Sequence, residues 1–281
     1  MWQIAPALLL LTFLFILPLL GVVRTSLYPG NRSFNAVGFT AFQYLKLLSD
    51  SFYLQTLFDT IMDGVIVAIV CLILGFPVGY SLARLPARKR RWRLILVILP
   101  LTLSLVVIVF GWMIVLGRNG VVNNLMMWLG LFDHPAQLLY NRTVVRLVLV
   151  QQFLPFMILS VMSTCTQISP VLEQAAANLR ANRFTTLRKV VLPMAMPGII
   201  SGMTLVFILT VSAFVTPRLV GGGKVHMLGS IIYEQTVVAL NWPLGAALSI
   251  VLLVLTTLIT GVTNMVLTNK FAKHHGARHA K

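Results

Sequence analysis

The sequence predicts an all-α membrane protein crossed by six helices, and three observations carry that prediction. Hydrophobic residues fill 58% of the 281 positions and charged residues only 10%, where an average soluble domain is about 25% charged. Six stretches each supply the roughly twenty mainly apolar residues that a helix needs to cross hydrocarbon. The Lys and Arg residues gather in alternate connections, the pattern of cytoplasmic loops. Mean hydropathy is +0.91, so the bilayer is the solvent this chain is built for. The net charge of +16 is then the cytoplasmic bias of a membrane protein, and nucleic acid is not among the expected partners.

In chain order the predicted spans are Ile4 to Val23, Val65 to Leu82, Leu94 to Leu116, Val144 to Met162, Val190 to Val215 and Leu244 to Leu267. The first has no basic n-region and no A-x-A site after it, so it reads as a retained span. Between the first two spans, Phe39 to Thr60 has apolar residues at helical spacing and reads as an interfacial helix on the outer side. The loop after the second span carries Arg84, Arg88, Lys89, Arg90, Arg91 and Arg93. The segment after the fourth carries Arg180, Arg183, Arg188 and Lys189, and the tail carries Lys270, Lys273, Arg278 and Lys281. With six spans all three lie on one side, which places both termini in the cytoplasm. The other side keeps Arg24, Arg32, Lys46, Arg118, Arg142, Arg218 and Lys224, together with the acids Asp50, Asp59, Asp133 and Glu234. The chain divides into residues 1–60 (first helix and interfacial helix), a five-helix core over 61–267, a polar segment over 166–190 within it, and a basic tail over 268–281. Asn241 and Pro243 mark the start of the last helix.

Several motifs fail on inspection. GGGK at 221–224 lacks the first glycine of a phosphate loop and has Val225 where Ser or Thr must reach a metal. His274, His275 and His279 sit in a basic tail and read as solvated rather than metal-bound. Six acids scattered along the chain build no catalytic set. No cofactor or metal is expected, and the chain is not read as an enzyme. Cys71 and Cys165 lie in or beside apolar spans and suggest no disulfide. Gly198 and Gly202 with Ser201 make a small-residue face that fits packing within the chain better than a subunit interface. Pro18, Pro77 and Pro100 interrupt spans and predict kinks.

Polar groups at membrane depth are candidates for a translocation pathway. They are Gln151 and Gln152 in the fourth span, with Asp63 and Glu234 nearer the outer ends. The competing reading for the two glutamines is hydrogen bonding between neighbouring helices.

The polar segment EQAAANLRANRFTTLRKVVLPMAMPGI (173–199) has the strongest internal logic. Ser169 and Pro170 form a helix start, and Glu173 falls in the first turn, where the helix dipole favours an acid. Leu172, Ala175, Ala176 and Leu179 recur on one face whose middle is only alanine, so another surface can come close. Asn182 can cap a second short helix with Phe184, Leu187 and Val191 on its apolar face. Between the two lies a bend at Arg180-Ala181-Asn182. If Arg180 takes the left-handed conformation it costs about 1–2 kcal/mol. The alternative, which the residue types favour, shifts that conformation to Asn182 and frees Arg180 for a contact.

This segment resembles the coupling motif of permease subunits of ATP-binding-cassette (ABC) importers, E-A-A, three further residues, Gly, then a run ending in L-P. Glu173, Ala175-Ala176, Leu179 and Leu192-Pro193 match, with Gln174 between the acid and the alanine pair and Arg180 in the glycine position. GFPVGYSLAR (75–84), PLTLSLVVIVFGWMIVLGRNGVVNNLMMWLG (100–130), FVTPRLVGGG (214–223) and NWPLGAALS (241–249) resemble its spermidine/putrescine branch, which includes opine and phosphonate importers. Ile108 stands where members of that branch often carry an arginine, so family pathway residues cannot simply be carried over.

The resemblance implies the type I importer permease fold, with the coupling helix pair between the fourth and fifth spans. It implies a bacterial inner-membrane protein that works with a cytoplasmic ATPase dimer, a second permease subunit and a periplasmic solute-binding protein. Its cargo would be a small polar organic solute such as a polyamine, opine or phosphonate. The residues it assigns to ATPase coupling are Glu173, Ala175, Ala176, Leu179, Arg180, Asn182, Leu192 and Pro193, with Glu173 meeting a basic group on the ATPase. The alternatives are a permease for a sugar or metal and a stand-alone secondary transporter, which would show inverted repeats.

Overall fold

The computed structural model describes residues 5–29, 38–131 and 133–276. Arg32, Arg278, His279 and Lys281 lie outside the described residues, as do the side chains of Lys270, Lys273, His274 and His275. In chain order the helices are α1 (Ala5–Ser26), α2 (Phe42–Ser49), α3 (Ser51–Ala83), α4 (Ala87–Thr102), α5 (Leu105–Leu116), α6 (Val121–Trp128) and α7 (Arg142–Gln167). They continue as α8 (Pro170–Asn178), α9 (Arg183–Thr186), α10 (Leu192–Val211), α11 (Val215–Val220), α12 (Leu228–Tyr233) and α13 (Trp242–Gly276). π-helical turns at Leu187–Val191 and Glu234–Val238 extend α9 into α10 and follow α12.

Among the described residues five stretches are long and apolar enough to cross a membrane: Ser51–Ala83, Leu105–Trp128, Arg142–Gln167, Arg183–Val211 and Trp242–Thr263. α1 adds a sixth helix of 22 residues, which at about 1.5 Å per residue matches a hydrocarbon core of about 30 Å.

Two sequence expectations shift. The interfacial helix over Phe39 to Thr60 is divided at Asp50, whose carboxylate accepts from the Phe52 amide at 2.9 Å and starts α3. Only α2 remains separate, and Ser51 to Thr60 joins the helix of the second span. The third span is broken where Leu103 and Ser104 turn extended, three residues past Pro100, which supplies no amide to the helix. The crossing stretch is therefore Leu105–Trp128 rather than Leu94 to Leu116.

The chain forms two compact units. One comprises residues 1–60 and 226–259. Its core is Leu47, Leu228, Ile231, Leu244, Ala247 and Leu248, covered by Tyr44, Tyr53, Leu57 and Val251. Hydroxyls find partners there: the Leu228 amide donates to Thr60 Oγ1 at 2.9 Å, and Ser26 meets the Tyr44 hydroxyl at 2.7 Å.

The other unit comprises residues 61–225 and 260–281, and α7 is its axis. Val145, Val148, Leu149, Met157, Val161 and Cys165 of α7 are all buried. α10 lies against α7 through the small-residue face. A Cβ at Gly198 would sit 2.2 Å from Thr164 Oγ1 and one at Gly202 would sit 2.8 Å from Met157 Sδ. Ser160 Oγ donates to the Gly198 carbonyl and pairs with Ser201, both at 2.8 Å. The Gly198–Gly202 pair thus packs within the chain, the first of its two sequence readings. GGGK is a turn: Gly222, at φ +55°, lies against the Tyr140 ring with no room for a Cβ, and the Tyr140 amide donates to Val220.

Candidate functional site

Two clusters in the 61–225 unit carry polar chemistry. The first is the segment after α7. The Ser169 side chain accepts from the Val171 amide and Pro170 opens α8. No residue of α8 is buried, and Leu179 just beyond it is 84% exposed. The face of Leu172, Ala175, Ala176 and Leu179 is left largely uncovered by this chain. α8 ends in two nested bonds, Arg180 amide to Ala177 carbonyl at 2.9 Å and Ala181 amide to Ala176 carbonyl at 3.1 Å. That is a Schellman stop, which wants a left-handed residue at its centre. Arg180 supplies it at φ +60°. Asn182 is extended (φ −72°, ψ 165°) and caps α9 by accepting from the Thr185 amide at 2.7 Å. The expectation that the bend shifts to Asn182 is therefore corrected: the cap and the left-handed stop are separate positions, and Asn182 is already used as the cap. Leu192 and Pro193 open α10 and are exposed, as is Phe184, while Val191 is fully buried.

Glu173 has an intrachain partner that the sequence reading did not name. Tyr80 donates to its Oε2 at 2.8 Å, and Arg84 Nε donates to Oε1 at 2.8 Å with Nη2 in addition. The third guanidinium nitrogen, Nη1, donates to the carbonyls of Cys165 and Ile168, both at 3.1 Å. These carbonyls lie at the end of α7, where helix carbonyls have no intrahelical partner and the dipole favours a cation. Arg84 and Glu173 side chains are 20% and 21% exposed, half-sheltered at the rim of a cleft of about 800 Å³ also lined by Phe76, Ser81 and Phe184. A signal was present: Tyr80 and Arg84 are one helical turn apart at the end of a span, on the same face.

The second cluster ties α7 to α3, α5 and α11. Asp63 is buried, its side chain 1% exposed, between Arg146 at 2.6 Å and Arg142 at 3.8 Å from α7. A buried carboxylate needs such a partner. Arg146, inside the predicted fourth span, was missed, although a charge in a membrane helix calls for a named counter-charge. Gln151 accepts from the Trp112 indole at 3.1 Å, and Gln152 accepts from the Thr216 hydroxyl at 3.0 Å. Both glutamines make the bonds between helices that the competing reading names. Asp63, Gln151 and Gln152 share one unit; Glu234 belongs to the other and is exposed at the start of a π-helical turn.

Residues 72–268 match the family described as the binding-protein-dependent transport system inner membrane component. The spermidine/putrescine transport system permease protein PotB of Escherichia coli (strain K12) is 34% identical over 258 residues, 92% of either chain. The PotB protein of Haemophilus influenzae is 32% identical over 250 residues, 89% of this chain and 87% of its own. Among solved structures, a bacterial alginate ABC transporter in complex with alginate pentasaccharide-bound periplasmic protein aligns with TM-score 0.72 at 19% identity, covering 94% of this chain and 93% of that one. The MetNI methionine ABC transporter, inward facing, aligns with TM-score 0.56 at 19% identity over 78% of this chain and 98% of that one. At such identities the likeness establishes the fold, that of ABC importer permeases.

Proposed function

Because the chain belongs to the family of binding-protein-dependent transport inner-membrane components, it is a multi-pass inner-membrane permease subunit of an ABC importer, and we propose that its cargo is a polyamine. The observation that carries the cargo is identity at 34% along 92% of both chains with a permease whose name gives spermidine and putrescine. Opines and phosphonates, then sugars and metals, are the other cargoes to be tested.

In this reading a second permease subunit completes the pathway, a periplasmic binding protein delivers solute to the outer loops, and a cytoplasmic ATPase dimer docks on α8. The uncovered alanine-centred face supports the docking role, since a surface without long side chains lets another backbone come close. Glu173, Ala175, Ala176, Leu179, Arg180, Asn182, Leu192 and Pro193 build the lever. ATP-driven closure of the ATPases moves it and switches the cavity between inward- and outward-facing. Asp63, Gln151, Gln152 and Glu234 are the polar groups proposed for the pathway.

The test is uptake of radiolabelled spermidine and putrescine by cells lacking the gene and cells complemented with it. Uptake is expected only in the complemented cells. Ala176→Arg is expected to reach the membrane at the normal level yet lose uptake by about thirtyfold or more, the loss of one interface hot spot of about 2 kcal/mol. Equal uptake with and without the gene would remove polyamines as cargo. Normal uptake by Ala176→Arg would remove α8 as the docking element.

A further inference from the structure

Resting on α8 as the lever, we propose that Arg84 is the positioning residue that fastens this lever to the membrane helices. One guanidinium meets three elements: it follows the last residue of α3, binds the Cys165 and Ile168 carbonyls at the end of α7, and takes Glu173 in the first turn of α8. α8 buries no residue, so packing does not hold it against α3 and α7; this latch does. The geometry demands arginine. A planar fork with five donors reaches a carboxylate on one edge and backbone carbonyls on the other, whereas an ammonium is a point charge on a flexible stem. Tyr80 completes the carboxylate from the same helix as Arg84, its hydroxyl filling Oε2 at 2.8 Å.

Glu173 is thereby held inside the subunit, its two oxygens engaged by Arg84 and Tyr80 of this same chain, and any basic group on the ATPase would meet a carboxylate already fixed in place. A push on α8 passes through Glu173 and Arg84 to α7, whose buried face is the axis of its unit, and to α3. Without the latch, α8 would swing on the Ser169 turn and the stroke would be lost before reaching the helices that line the pathway.

The experiment uses the permease–ATPase complex in nanodiscs and proteoliposomes, with Arg84→Ala, Arg84→Lys, Glu173→Gln and the exchange Arg84→Glu/Glu173→Arg. Two quantities are read. The first is cargo transported per ATP hydrolysed, which does not depend on how much complex survives folding. The second is the distance distribution between spin labels at Gln174→Cys and Thr166→Cys, both exposed, on a background in which Cys71 and Cys165 are buried. Arg84→Ala is expected to lower transport per ATP by about tenfold, within the usual range of coupling between sites, and to broaden the label distances. Arg84→Lys and Glu173→Gln fall between it and the wild type, and the exchange recovers part of the loss. Wild-type stoichiometry together with a narrow distribution in Arg84→Ala overturns the proposal. If that variant does not fold, Arg84→Lys and Glu173→Gln decide by the same two readings. Failure of the wild type to couple ATP to transport would instead overturn the lever reading, while the label distances still report on the latch.

Discussion

At the scale of single residues, Arg180 occupies a backbone state that arginine enters at a cost. A side chain with a Cβ at φ +60° gives up about 1–2 kcal/mol against a residue free of that clash. Arg180→Gly is therefore expected to raise the thermal midpoint of the purified subunit by about 2 °C or more and to keep transport. A stabilised variant without transport would show that the guanidinium itself contacts a partner. The glycine position was legible in the sequence, and so were both caps, because Ser169 and Asn182 act through local hydrogen bonds. What was not legible is which residue takes the strain. Asparagine has the better left-handed propensity, but a helix stop and the next helix start need two different conformations, and the cap had already claimed Asn182 as extended. Arg84 and Arg146 were hidden for another reason. Each was counted as loop charge or passed over, and its role appears only when a partner 89 or 83 residues away is brought beside it.

At the scale of helices, the apolar runs foretold where the chain crosses, because hydrocarbon length and hydropathy are local properties. Their ends were less legible. α3 begins at Ser51 rather than at Val65 because nothing between Asp50 and the apolar stretch breaks the helix, and α4 parts from α5 at Leu103–Ser104 rather than at Pro100 itself. Packing between helices was readable in outline from Gly198 and Gly202, since small residues are what let membrane helices approach. The structure adds the partner, α7, and the fit is tight enough to test. In Gly198→Ala the new methyl would meet Thr164 Oγ1 at 2.2 Å and the Ser160 carbonyl at 2.9 Å. Overpacking of that kind costs about 1–3 kcal/mol, more than the helix-propensity gain of up to about 1 kcal/mol. A Cβ at Gly261 meets nothing within 4 Å, so Gly261→Ala keeps only the gain. Thermal unfolding in detergent is expected to move down for the first and level or up for the second. Equal shifts would mean that α10 does not pack on α7 through this face.

At the scale of the whole chain, orientation is a matter of charge rather than contacts. The 22 Lys and Arg against six Asp and Glu are not spread evenly. Arg84 stands in the connection between α3 and α4, and five more cations up to Arg93 fall in the first two turns of α4, which has no acid in its first turn. Cations at a helix start oppose its dipole, so their placement there answers to something other than helix stability. Retention on the cytoplasmic side during insertion is such a cause. It predicts that Arg91 faces the cytoplasm and that Asp133, on the segment between α6 and α7, faces outward; both are exposed. Single-cysteine variants Arg91→Cys and Asp133→Cys can be treated with a membrane-impermeant maleimide, the native Cys71 and Cys165 being buried. In intact spheroplasts position 133 is expected to label and position 91 only after permeabilisation. The reverse pattern would turn the subunit over, place the exposed face of α8 on the side without ATP, and with it end the reading of that helix as the ATPase lever.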